Sequence, residues 1–267
     1  MISQLKAEFF KFRKSSIFRV SFLIIFGIVF ISLIFGEMSF FAAGDGMVSY
    51  IGFQAKSYSN LNEPAFTEIL KSSFAYSGFF WIITLFLTAL FFVKEYNSGT
   101  IKLAVATGVS RWNIYIAKVI TIITFVLFFY LFYVIVFTLI EVFQTGYLLQ
   151  MKDLLYMSKI FLLNYLVLIA FAFFVIFLCV LLQNVGFVIG ISCIYIFAGI
   201  SVYIMVWYKM DEITMGMKSF IYCNPMYYWM NYCSNSYAST AGLCVYLLIN
   251  IFLLAVGGLL LKNREIK

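Results

Sequence analysis

The stretch FFVKEYNSGTIKLAVATGVSRWNIYIAK, residues 91–118, interrupts a chain that otherwise avoids charge. Long apolar runs flank it, and inside it lie several charges together with Gly99 and Gly108. Ser98, Gly99 and Thr100 form a helix-start signal, with Ser98 or Thr100 as the cap. Ile101, Leu103, Ala104 and Val105 then offer one short apolar surface, with Lys102 facing away. Gly108 ends that helix, and Ser110 caps the next, which carries Arg111, Trp112 and Lys118 into the following apolar run. A segment that only supplied charge to one side of a membrane would not need an apolar helix between two turns. The bland reading is a solvated loop; the functional one is a docking knob for a partner.

The flanking runs decide the class. Of 267 residues, 64% are hydrophobic and 11% charged, and 33 are Phe. Soluble domains carry about a quarter charged residues. Six predominantly apolar segments, 17–35, 74–93, 114–140, 160–182, 185–207 and 241–261, are each long enough to cross a bilayer as a helix. Only Gln183 and Asn184 separate the fourth from the fifth, so a tight helical hairpin is expected there. The first segment is too long, and lacks a small-residue cleavage site, for a removed signal peptide. The fold class expected is an all-α polytopic membrane protein of six transmembrane helices.

Charge orients it. With both termini inside, the inner segments hold twelve of the 18 basic residues and three of the 11 acids. The positive-inside rule then places both termini in the cytoplasm. The net charge of +7 is this topology signal and not a nucleic-acid footprint, so no nucleic-acid partner is expected. Residues 1–16 space Ile2, Leu5, Phe9 and Phe12 as one helical stripe among basic residues, an amphipathic helix suited to lie on membrane lipid. Phe10 falls off that stripe. Outside, 36–73 forms one long segment with a short helix after Pro64, and 208–240 another. In the latter, Asn224-Pro225 marks a turn and helix start, consistent with a short hairpin dipping into the outer leaflet. Cys223 and Cys233 could form a disulfide on that side, although unpaired thiols are the safer expectation.

Several chemistries are disfavoured. The chain has no His, no C-x-x-C pair and no P-loop, so metal ligation, His-dependent hydrolysis and ATP binding by the chain itself are not expected. No cofactor site follows from the sequence. No Asp or Glu lies deep in a span, which argues against an ion-coupled carrier. An integral membrane enzyme ranks last for the same want of a nucleophile and base. Thr138, Asn164, Ser192 and Asn250 are candidate lining residues of a pathway, and interhelical hydrogen bonds explain them equally well. Gly186 and Gly190 form a G-x-x-x-G whose default use is packing within the bundle, with a dimer interface as the alternative.

Glu95, Gly99-Thr100, Leu103, Gly108, Ser110-Arg111 and Lys118 resemble the E-x-x-x-G-T … G-x-S-R … K pattern of the ABC type-2 permeases, membrane subunits of ATP-driven exporters, many of them bacterial. The basic segment before span one, the six-span layout and the Asn-Pro step before span six extend the likeness over most of the chain. The resemblance implies a coupling helix within 94–113 that fits a cytoplasmic ABC ATPase. Glu95 and Arg111 would position it, by pairing with each other or with the ATPase. Gly99 and Thr100 would form its turn and cap, and Ile101 and Leu103 its docking surface. Two ATPase subunits would bind ATP and Mg, and a second permease chain, identical or related, would complete the pathway. The long 36–73 segment resembles small permeases that export or detoxify antimicrobial peptides, pointing to an amphipathic peptide or lipid-like cargo in a cell membrane. The alternative from a different class is a non-transporting immunity protein that sequesters a peptide at the outer face through 36–73.

Overall fold

Apolar runs that cannot hydrogen-bond their backbone to lipid must satisfy it internally, and here they do so as helices. The computed structural model describes residues 1–34, 38–40, 53–55, 65–208, 215–233 and 239–263. Its elements in order are α1 (Ile2–Lys14), α2 (Ser16–Ile34), β1 (Met38–Phe40), β2 (Phe53–Ala55), α3 (Phe66–Ala75), a 3-10 turn (Tyr76–Gly78) and α4 (Phe79–Asn97). They continue with α5 (Thr100–Ala106), α6 (Arg111–Thr145), α7 (Met151–Leu182), α8 (Val185–Tyr208), α9 (Met215–Tyr222), α10 (Pro225–Cys233) and α11 (Thr240–Asn263).

The architecture is helical, and the short ribbon β1–β2 is its one departure among the described residues. Those strands pair antiparallel, with Ser39 opposite Gln54. The remainder of the 36–64 stretch lies outside the described residues. The helix expected after Pro64 is longer than the sequence suggests. Through the 3-10 turn it joins α4 in a stretch, 66–97, that is one of four among the described residues long and apolar enough to cross a membrane, the others being α6, α7 and α11. The bent pair α1–α2 makes a fifth, while in α8 the apolar stretch 185–201 is shorter.

Local chemistry sets the joints. Ser15 serves two helices at once: its hydroxyl donates to the Phe12 carbonyl at 2.6 Å and accepts from the Phe18 N–H at 3.3 Å. The chain bends there by 55°. Gln183 takes a left-handed conformation, φ 52°, and the Asn184 side chain accepts the N–H groups of Gly186 and Phe187, which closes the tight α7–α8 hairpin. Asn224 likewise accepts the Met226 N–H at the start of α10, with Pro225 as its first residue.

The core is aromatic. Phe12 stacks on Phe125 at 4.1 Å and meets Phe91 edge-on at 5.0 Å, joining α1, α4 and α6. At the other end of the bundle the Trp229 indole donates to Ser77 at 2.8 Å, locking α10 onto the 3-10 turn.

Candidate functional site

The interrupting segment folds as a small helix slung between two long ones. Gly99 occupies the position before α5 with φ 68°, and Gly108 follows α5 with φ 87°. Both conformations suit glycine, which has no Cβ to clash. At the far side the Val109 N–H reaches the Ala104 carbonyl and the Gly108 N–H the Val105 carbonyl, closing α5. Ser110 then caps α6 by accepting the Asn113 N–H.

The caps at the near side differ from expectation. Neither Ser98 nor Thr100 caps α5. The Thr100 hydroxyl donates to the Glu95 carbonyl at 3.1 Å and lies 3.0 Å from the Ser98 hydroxyl, which also approaches that carbonyl. The two side chains finish α4 rather than start α5, because the left-handed Gly99 turns them back toward the preceding helix.

The expected single apolar surface is also divided. Ile101 is 2% exposed and Leu103 is 68% exposed. Residues two apart on a helix stand about 200° apart around its axis, so one anchors inward while the other points out. Ala104 and Val105 lie between these extremes, half-buried. The outward surface is therefore Leu103 with Ala106 and Thr107, and Ile101 is the root that seats α5 on the bundle.

Between α1, the end of α4 and the first turns of α6 lies a cluster of four charges. Glu8 of α1 is fully buried, and Lys118 of α6 is buried with it. The Lys118 ammonium lies 2.6 Å from a Glu95 carboxylate oxygen and 3.1 Å from one of Glu8. Lys11 approaches Glu8 at 2.9 Å and Glu95 at 3.6 Å. Gln4 donates to Glu8 at 3.1 Å, and the Phe91 ring lies 4.5 Å from the Lys118 nitrogen, a cation–π contact. Two carboxylates thus alternate with two ammonium groups, each buried charge facing opposite ones, as burial demands. Burial lowers the Lys11 pKa, but the hydrogen bond and charge of Glu8, with the charge of Glu95, outweigh it and hold the ammonium above the ordinary lysine value.

Glu95 does not pair with Arg111. Arg111 donates to the Lys262 carbonyl at 3.2 Å, fastening the start of α6 to the end of α11. The Tyr115 hydroxyl adds a second tie to α11, at the Leu254 carbonyl. Sequence reasoning missed Glu8 altogether and placed Lys118 only as part of a pattern. An acid on the inward arc of a basic helix was the available signal.

The other candidates sit elsewhere. Thr138 is buried and donates to Ser73 at 3.1 Å. Asn164 and Asn250 are buried and donate to carbonyls of their own helices, Ile160 and Tyr246, and Ser192 is buried in α8. Asn164 lines a small cavity of about 10 Å³ together with Ser77, Trp81 and Trp229. Two apolar grooves among the described residues flank the exposed ridge Phe79, Ile82 and Phe86 of α4. One, of about 360 Å³, lies against Val20 and Ile24 of α2; the other, of about 340 Å³, against Phe197 of α8 and Met226 of α10.

Gly186 and Gly190 are exposed, and among the described residues nothing approaches within 4 Å of where a Gly190 Cβ would stand. Cys223 carries a free thiol; the side chain of Cys233 lies outside the described residues.

A family model described as ABC-2 family transporter protein matches residues 4–199, which include most of α1, the charge cluster, α5 and most of α8. No curated protein matches the chain. Members of that family are membrane components of ABC transporters, normally non-catalytic, and the family implies association with an ABC ATPase. With a match over most of its length and several membrane-length apolar helices, the chain belongs to the ABC-2 transporter permease family.

Proposed function

We propose that this chain is the transmembrane subunit of an ATP-driven exporter, with α5 as the helix that receives force from a separate ATPase. The observation that carries this reading is the exposed Leu103 on a helix hung between left-handed glycines, with a buried ion cluster tying together the two helices that flank it. An outward apolar side chain on a rooted helix suits insertion into a cleft of a partner protein. Six helices would cross the bilayer, namely α2, the 66–97 stretch through α4, α6, α7, α8 and α11, with both termini and α5 in the cytoplasm.

Two ATPase subunits, holding ATP and Mg, would close on each other and press α5 toward the bundle. The Glu8–Lys118–Glu95 contacts join α1, α4 and α6 where α4 ends and α6 begins on either side of α5, so load on α5 would pass through its two flanking helices into α1. Transport would then be a population shift between two arrangements of the bundle. A second permease chain, identical or related, would face the α4 ridge and its two grooves, and the pathway would run there rather than past Thr138, Asn164, Ser192 or Asn250. Such an apolar lining suits an amphipathic peptide or lipid-like cargo, consistent with a role in antimicrobial peptide resistance in a bacterial cell membrane.

The test is gentle purification of the tagged full-length protein from its native membranes. A P-loop ATPase should co-purify, and Leu103→Asp should release it while leaving the permease folded. Stable permease that emerges alone, repeatedly, would overturn the reading.

A further inference from the structure

Helix α1 has two faces, and the bundle uses only one. The inward face holds Glu8 and Phe12, both fully buried, with Phe9 against Phe125 at 5.3 Å. That face contains most of the apolar stripe expected to meet lipid. The outward face carries Ile2, Lys6, Phe10, Arg13 and Lys14, all exposed, and Phe10 is 61% exposed. At about 100° per residue these five fall within one arc of roughly 120°. The arc has three positive charges and no negative one. The only acid of α1, Glu8, is on the opposite side and is neutralised there by Lys11 and Lys118.

We propose that this outward face is a binding surface for the headgroups of anionic lipids, with Phe10 as its apolar anchor. Three features favour a lipid surface as the occupant. Every charge on the arc is positive and complements phosphate-bearing headgroups. The 55° bend at Ser15 leads directly from α1 into the apolar α2, so the helix lies where that helix enters the bilayer. Arg19, exposed in the first turn of α2, extends the basic surface toward the same level. Each basic residue beside an anionic leaflet is worth about a fivefold shift in such an equilibrium, within a Debye length of the surface. Since Glu8 ties α1 to Lys118, and Lys118 ties α6 to Glu95 of α4, headgroup charge acquires a mechanical route to the two helices that flank α5. The inference needs α2 to enter a bilayer and does not depend on an ATPase, so its failure and that of the exporter reading are separable.

The experiment is amide hydrogen exchange of residues 2–14 in the full-length protein, in nanodiscs of phosphatidylcholine alone or mixed with phosphatidylglycerol, with no ATPase present. Exchange should slow on the order of tenfold in the mixed discs, and high salt should reverse the effect. The variant Lys6→Gln/Arg13→Gln/Lys14→Gln should lose it, with α6 and α7 amides unchanged as the control for folding. Equal exchange in both discs overturns the proposal. So does equal protection by inorganic phosphate in phosphatidylcholine discs, which would mark a small-ion site. Protection that appears only on adding the ATPase would assign the face to that protein, and would also overturn it.

Discussion

The Lys118 ammonium and the Glu95 carboxylate, 2.6 Å apart, join the end of α4 to the beginning of α6 across the small helix α5 that the chain inserts between them. Glu8, on the other side of Lys118 at 3.1 Å, brings α1 into the same contact. A single buried cation therefore holds three helices, and its removal would leave the two carboxylates to the more exposed Lys11.

Lys118→Met should destabilise the protein by about 3–5 kcal/mol, the cost of stranding buried charge. Glu8→Gln combined with Lys118→Met should cost less than the sum of the two single changes, with a coupling of about 0.5–3 kcal/mol. Thermal unfolding of the four proteins in one detergent measures this; additive effects would show that the contact contributes nothing.

Ile101 and Leu103 should separate cleanly. Ile101→Ala should cost about 2–5 kcal/mol by leaving a cavity under α5. Leu103→Ala should change stability by no more than about 0.5 kcal/mol, since the side chain is exposed, yet weaken ATPase binding. Melting curves alongside quantitative pull-downs distinguish the two, and equal behaviour would refute the division of faces.

Gly99→Ala and Gly108→Ala should each cost about 1–2 kcal/mol, purely from the left-handed backbone, because nothing lies within 4 Å of either added methyl. Asn at the same positions should be milder than Ala. Chemical denaturation of the variant series ranks them, and an Ala variant as stable as the parent would contradict the observed geometry.

Gly78→Ala should be destabilising for the opposite reason. Its added carbon would stand 2.5 Å from the Trp229 ring, which the hydrogen bond to Ser77 holds in place. Overpacking of this kind costs about 1–3 kcal/mol. The smaller ring of Trp229→Phe should recover part of the loss in the double variant, measured as a melting-temperature difference; no recovery would locate the strain elsewhere.

The sequence exposed those features whose chemistry is local. Gly108 and Ser110 bracket a helix end and a helix start by turn chemistry alone, and the same holds for Gln183–Asn184 and Asn224–Pro225. Features that depend on distant partners stayed hidden. Glu8 meets Lys118 across 110 positions, and among basic neighbours it looks like one more solvated charge. Thr138 and Asn164 look like pathway residues because polar groups are rare in apolar spans, whereas tertiary packing places them inside the bundle. Ile101 and Leu103 were separable in principle, since helical spacing alone puts them on opposite sides. The Phe79, Ile82, Phe86 spacing was equally present, but a Phe-rich chain offers many such patterns.

The four-charge cluster has a further consequence in electrical terms. Glu8 and Glu95 cancel Lys11 and Lys118, so the unit sums to zero. Moving one uncompensated charge through a membrane potential takes about 2.3 kcal/mol per 100 mV. A neutral unit can shift within that field with almost no electrical work. A displacement of this cluster within the membrane field would therefore be insensitive to voltage.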